Sequence, residues 1–208
     1  HFHLSYVKEL EHIILKAPQT NPNGSIMEIR KAGTILGKTL TFTNANVADS
    51  EFILSLRLNP RLSKNLSATS TNLEQQVTWM NAYASTKDQA YFIIRIGSEP
   101  IGTVRLYDAQ TDSFCWGSWI LMDSAPAFSA IESALMVYSY TFDHLKFSRS
   151  HFDVRKLNKS VWQFHERFGA IRASEDTDNY YFTLSAEAWQ TSKEKYRRYL
   201  PSEITVAD

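Results

Sequence analysis

This chain is short of several things, and each shortage narrows what it can be. A single cysteine, Cys115, stands among 208 residues. One thiol cannot close an internal disulfide, so packing must hold the fold, and a reducing, cytoplasmic setting is expected. Neither charge is in excess: 22 Lys and Arg face 22 Asp and Glu. A neutral chain lacks the basic footprint of a nucleic-acid binder and the polybasic run that seeks anionic membranes. No apolar run approaches the length of a membrane span, and no charged-then-apolar leader pattern is present. No nucleic acid and no membrane are therefore expected as partners. His144 and His151 stand too far apart from other ligands for a zinc set, and Glu175-Asp176-Thr177-Asp178 reads as a solvated hairpin turn, so no metal is expected. There is no P-loop and no nucleophile elbow. Glycine is scarce, at 7 residues, which matters wherever a phosphate-binding loop is sought.

What is present is an ordinary globular composition, 43% apolar and 13% aromatic, in a chain long enough for one domain with a full core. Residues 1–26 differ from the rest. Leu4 to Lys16 could form a short amphipathic helix, followed by a turn-rich cluster, Pro18 and Asn21-Pro22-Asn23-Gly24. Gly24-Ser25, just before Met27, is the dipeptide a cloning junction leaves. Residues 1–26 are thus expected to be a tag or a loose arm, and residues 27–208 the domain.

From Leu40 onward the pattern is regular. A strand at 40–44 precedes a helix to about Leu58, stopped by Asn59-Pro60. A polar loop at 63–71 leads to a second helix, 73–84, which Asn72 caps. Residues 90–96 and 101–107 form a hairpin around Gly97-Ser98-Glu99-Pro100, and 113–122 is a third strand. A long helix, about 128–145, carries the stripe Phe128, Ile131, Leu135, Tyr138, Phe142 and Leu145 at i, i+3, i+4 spacing. A strand at 150–154, a helix at 159–168, a strand at 180–184 and a helix at 186–199 follow. The order predicts one α+β domain, with a crossover helix between two parallel strands.

Three segments then carry a resemblance. They are Ile94-Arg95-Ile96-Gly97-Ser98-Glu99-Pro100-Ile101-Gly102-Thr103-Val104, Trp116-Gly117-Ser118-Trp119-Ile120-Leu121, and the run from Asn158 through Val161, Phe164 and His165 to Phe168-Gly169-Ala170. In this order they resemble the GNAT superfamily of acyl-CoA-dependent N-acetyltransferases, over about Leu40 to Ser185. The resemblance implies a GNAT-like domain: a mixed central sheet, antiparallel at first, with a splayed parallel pair in the middle and helices on its flanks. It implies acetyl-CoA as cofactor, held by Ile120, Leu121 and Met122 on the strand edge, by Ser124, Ala127, Phe128, Ser129 and Ala130 at the head of the long helix, and by Asn158. The family's pyrophosphate loop uses glycines; here Asp123 to Ala130 offers Ala, Ser and Pro instead. Small side chains, two hydroxyls and the helix dipole are expected to serve in their place.

Transfer to an amine needs a polarised carbonyl, a deprotonated nucleophile and an acid near the departing sulfur. His165 stands where relatives keep a tyrosine and is the expected catalytic acid, with a pKa near neutrality. The general base stays open. Arg57, Trp79, Tyr83, Trp116 and Ser118 are the expected acceptor contacts. By strand alternation Trp116 and Ser118 share one face, and Cys115, Gly117 and Trp119 the other. The implied partner is a small-molecule amine, among which a nucleotide-linked amino sugar suits the aromatic wall, and a homodimer is admitted. A protein N-terminus is the alternative acceptor, and a non-catalytic binding module the alternative of another class.

Overall fold

The computed structural model describes residues 27–66 and 68–208. The expectation for residues 1–26 lies outside them. Nine strands form one sheet in the order β7-β8-β6-β5-β4-β3-β2-β1-β9. In chain order these are β1 (Thr34–Leu36), β2 (Leu40–Asn44), β3 (Ala90–Ile96), β4 (Glu99–Tyr107), β5 (Ser113–Leu121), β6 (Arg149–Arg155), β7 (Ile171–Glu175), β8 (Asn179–Ser185) and β9 (Thr205–Ala207). Every neighbouring pair runs antiparallel except β5 and β6, which run parallel. The helices are α1 (Ser50–Leu58), α2 (Pro60–Ser63), α3 (Leu73–Ser85), α4 (Ser129–Tyr138), α5 (Lys159–Arg167) and α6 (Ala186–Lys195).

Local chemistry sets the punctuation. Asn46 and Asp49 close a capping box over the turn Val47–Asp49, which satisfies orphan amides at the entry to α1. Asn59 ends α1, and Pro60 opens α2 in the position where its missing N–H costs nothing. Asn72 accepts from Glu74 N at the head of α3. Gly169 takes φ of 93° just past α5, a left-handed conformation that a Cβ would strain.

Two apolar layers sandwich the sheet. On the back face α4 and α5 cover Phe114, Trp116, Phe152 and Phe182. On the front face α1 and α3 set Ile53, Trp79, Met80 and Tyr83 over Tyr91 and Ile93. Two expectations are corrected here. The long helix is α-helical only to Tyr138 and continues as a π-helix, Ser139–His144. That segment sets Asp143 to accept from Lys193 Nζ (2.8 Å), Trp189 Nε1 (3.0 Å) and Ser139 Oγ (3.1 Å), tying α6 to it. Burial alone would raise the Asp143 pKa, but these donors hold it below the ordinary value. The terminal helix stops at Lys195, and its last residues form a separate turn, Arg197–Tyr199. Among the described residues no helix is long and apolar enough to cross a membrane.

Candidate active site

The β5–β6 pair is hydrogen-bonded only at its start, Ser113 opposite Arg149 and Phe114 opposite Ser150. Beyond Phe114 the strands diverge, so the β6-facing edge of β5 from Cys115 to Leu121 has no strand partner. The same strand carries a bulge on its other side. Arg105 pairs with Gly117 and Thr103 with Ile120, so Ser118 and Trp119 together oppose Val104. Ser118 takes φ of 45°, and Thr103 Oγ1 donates to its carbonyl at 2.9 Å. An extra residue leaves backbone groups unpaired and re-aims the side chains after it.

The bulge overturns the simple alternation. Trp116 and Trp119 fall on the same, back side, with ring centroids 5.2 Å apart. Trp116 Nε1 donates to Tyr138 Oη (3.2 Å) and Trp119 Nε1 to Ser133 Oγ (3.1 Å). Trp116 therefore faces the core, away from the front cleft where it was expected. Ser118 stays on the front. Tyr83, also expected in the cleft, is locked in the front core. Its hydroxyl donates to Asn44 Oδ1 (2.6 Å) and accepts from Tyr91 N (2.8 Å), and burial raises its pKa.

On the back side the splay is walled by aromatic rings around His165. Its imidazole sits 4.3 Å from Phe152, 5.3 Å from Trp116 and 5.8 Å from Phe164, centroid to centroid. His165 Nδ1 is buried without a hydrogen-bond partner. Desolvation pushes the pKa down to about 3, the opposite of the neutral-range value expected. The ring is uncharged at physiological pH, so it can offer an N–H hydrogen bond but cannot serve as a cationic acid.

Two helix N-termini flank this side. The turn from Met122 to Phe128 carries Ser124 and Ala127 exposed to solvent, with Ala125 N bonded to Met122 O (2.9 Å) and Ser129 N to Pro126 O (2.9 Å). Phe128 heads α4 with no side-chain cap, Ser129 Oγ is buried without a partner, and the Ala130 carbonyl accepts from Ser133 Oγ. Asn158 heads α5, and its side chain makes no cap bond either. By contrast Asn72 and Ser185 cap α3 and α6. Uncapped helix ends present amides and positive dipole ends to an anion. These groups fit a pyrophosphate without glycine. Ile120 is buried, Leu121 is half-buried, and Met122 N bonds to Ile101 O at 2.9 Å.

On the front side lies a small, open cleft lined by Ile53, Arg57, Thr69, Gln76, Trp79, Tyr91, Arg105 and Ser118. Arg57 Nε donates to Thr69 Oγ1 (2.6 Å), and its Nη1 lies 3.5 Å from Ser118 Oγ. Arg105 Nε donates to Gln89 Oε1 (2.8 Å), and its guanidinium lies 5.0 Å from the rings of both Trp79 and Tyr107. Trp79 meets Tyr91 edge-on at 5.7 Å. Of the expected acceptor residues the fold thus gathers Arg57, Trp79 and Ser118. Arg105 was missed, although the polar alternation Thr103, Arg105, Tyr107 along β4 was a readable signal. Cys115 is buried, and desolvation raises its thiol pKa to about 12, so it is no thiolate nucleophile. Among the described residues no group of His, Cys, Asp or Glu is placed to hold a metal ion.

Comparison with known proteins agrees with this geometry. Residues 39–171 match the acetyltransferase (GNAT) domain family. Among solved structures, apo FdhC, described as a nucleotide-linked sugar GNAT, shares 38% identity, covering 82% of this chain and 97% of that one at a TM-score of 0.70. A GCN5-related N-acetyltransferase from Brucella melitensis superposes at a TM-score of 0.65 with 16% identity over 88% of each chain. Spermidine N-acetyltransferase from Vibrio cholerae, in complex with CoA and spermine, does so at 0.62 with 16% identity, over 73% of this chain and 98% of that one. No match is found among curated proteins.

Proposed function

Since the chain belongs to the GNAT acetyltransferase family, with acetyl-CoA as its acyl donor, we propose that it N-acetylates the amine of a nucleotide-linked amino sugar. The observation that carries this acceptor is the lining of the front cleft. Two guanidiniums, Arg57 and Arg105, stand beside an aromatic wall of Trp79 and Tyr91, and no carboxylate lines the cleft among the described residues. Arginine forks suit a diphosphate, and an aromatic face suits a base or sugar ring. A polyamine carries several positive charges and would be repelled. The 38% identity to a protein described as a nucleotide-linked sugar GNAT supports the same acceptor class.

The donor belongs on the back side. Bound there, it supplies an electrophilic thioester. The unpaired edge of β5 from Trp119 to Leu121, with Met122 just past it, offers backbone groups to a pantetheine arm. Ser129, with the uncapped head of α4, offers a hydroxyl and amides to phosphate, and Asn158 offers its side-chain amide. The bulge at Ser118 offers backbone amides to an oxyanion. His165 donates from its neutral ring toward the sulfur and helps exclude water.

The test compares acceptors. Thermal shift with acetyl-CoA is expected to stabilise the protein, and thiol release is expected with UDP- or TDP-linked amino sugars and not with spermidine. Arg57→Ala should raise the acceptor KM about 10- to 100-fold, as loss of a charge-assisted bond does, and leave the acetyl-CoA KM unchanged. Preferential turnover of spermidine, or of a free peptide N-terminus, would overturn the acceptor reading.

A further inference from the structure

Acetyl transfer needs a group that takes a proton from the acceptor's ammonium, and the aromatic cage around His165 cannot supply one. The front face of the splay holds a candidate that nothing in the sequence motifs marked. In β6 the side chains of Ser150, Phe152 and Val154 are buried on the back, while His151, Asp153 and Arg155 face the front. Phe114 pairs with Ser150. Extending that parallel register by three residues on each strand sets Asp153 opposite Gly117, across the gap from the bulge. Gly117 lies on the front because it pairs with Arg105 of the cleft. Its missing side chain makes room for the Tyr107 ring on that face, since a Cβ there would stand 2.8 Å from Tyr107 Oη.

We propose that Asp153 is the general base of the transfer, accepting the ammonium proton directly or through one water. The argument rests on the acceptor reading above. Asp153 is exposed to solvent, and among the described residues its carboxylate pairs with no cation; its one bond is from its own backbone amide. Several other acidic side chains are engaged. Asp108 meets His151 Nε2 at 3.2 Å, Asp112 meets Arg149 at 3.1 Å, Asp49 meets Arg95 at 3.3 Å, and Asp176 accepts from Tyr181 Oη at 2.7 Å. Tyr107 and Cys115, the polar neighbours across the gap, are both held protonated by burial.

Although solvent reaches it, the protein on its flanks desolvates Asp153 and raises its pKa, with the nearby charge of Asp176 adding and Arg155 opposing. The groups facing it are Tyr107 of β4, Cys115 of β5, Arg155 of its own strand, Tyr181 of β8 and Asp176 of the β7–β8 turn. A raised carboxylate is a stronger base at neutral pH. The step balances simply. One N–H bond of the ammonium breaks and its proton goes to Asp153. The freed lone pair forms the C–N bond to the thioester carbonyl carbon. The C–S bond breaks with its electron pair on sulfur, the second amine proton goes to that thiolate, and Asp153 returns the first proton to solvent.

The experiment uses the full chain with acetyl-CoA and a panel of UDP- and TDP-linked amino sugars, scoring thiol release from pH 5 to 10, melting temperature, and thermal shift by acetyl-CoA. Asp153→Asn is expected to keep the acetyl-CoA shift and both KM values within about twofold while kcat falls about 100- to 1,000-fold, the usual share of general base catalysis. Its acidic limb should move up to the amine's own ionisation, so that the deficit narrows at high pH, and Asp153→Glu should restore part of the rate. Full kcat in Asp153→Asn with the acetyl-CoA shift intact would overturn the base alone. A wild type that binds acetyl-CoA but turns over none of the panel would overturn the acceptor reading, and this assignment with it.

Discussion

The back and front of β5 are built from opposite materials. On the back, Trp116, Trp119, Phe152 and Phe164 enclose His165 so completely that its pKa falls to about 3. On the front, Arg57, Arg105 and Ser118 line a cleft open to solvent, and Asp153 of β6 lies exposed on the same side of the sheet. The contrast suits the roles proposed for the two sides. A thioester needs a dry wall against hydrolysis and a few neutral donors. A charged acceptor needs counter-charges and a base that stays in contact with water. One bulge, at Ser118, separates the two, because it breaks the alternation: Trp116 and Trp119, three residues apart, both go to the back while Ser118 stays on the front.

The comparison can be broken by removing its dry half. Trp116→Ala deletes a buried ring that packs on Tyr138, Phe152 and His165. The expected cost is about 3–5 kcal/mol in urea unfolding, as for other buried aromatic truncations. Arg57→Ala on the front should change stability by less than about 1 kcal/mol while weakening the acceptor. Equal stability losses at the two positions would erase the distinction.

Acid sharpens it next. The pKa of His165 is lowered in the folded protein from 6.5 to about 3. The unfolded chain therefore binds a proton that the folded chain refuses between those values. Stability conferred by a neutral His165 is complete above about pH 6.5 and declines as pH falls toward 3, at up to about 1.4 kcal/mol per pH unit. His165→Phe should flatten that limb in a pH series of thermal melts. An unchanged acid limb would mean that His165 is not buried as described.

The smallest effect separates the two kinds of helix end. Asn72→Ala removes a cap bond to Glu74 N and should cost about 1 kcal/mol. Asn158→Ala removes none and should cost less than about 0.5 kcal/mol, yet weaken acetyl-CoA binding several-fold by calorimetry. A stability loss at Asn158 equal to that at Asn72 would show a structural cap instead of a ligand contact.

Much of this was legible. The hairpin of β3 and β4, strand β5, the α4 crossover, the parallel β5–β6 pair and the helix between Asn158 and Gly169 all follow from apolar period and turn residues. Strands β1, β7 and β9 were not legible. β1 and β9 have three residues each and exist by pairing with each other and with β2, a contact between the two ends of the described chain. β7 is exposed along its whole length, so no alternation marks it. Of the residues expected at the acceptor, the fold brings Arg57, Trp79 and Ser118 together in one cleft and sets Trp116 and Tyr83 in the core. Arg105 of the cleft, and Asp153 proposed as the base, drew no notice because they are ordinary polar positions of alternating strands.

The sequence by itself determined the order of elements and the fold class, because local propensity and period act over a few residues; the segments that would meet at the splay followed from the family resemblance. Only the tertiary structure decided which side of β5 each side chain serves and which charges stand unpaired. The bulge depends on Thr103 of the neighbouring strand reaching the Ser118 carbonyl, and the basicity of His165 and Asp153 depends on how much water their neighbours remove. Both are set by residues far away in the chain, and no local pattern carries that information.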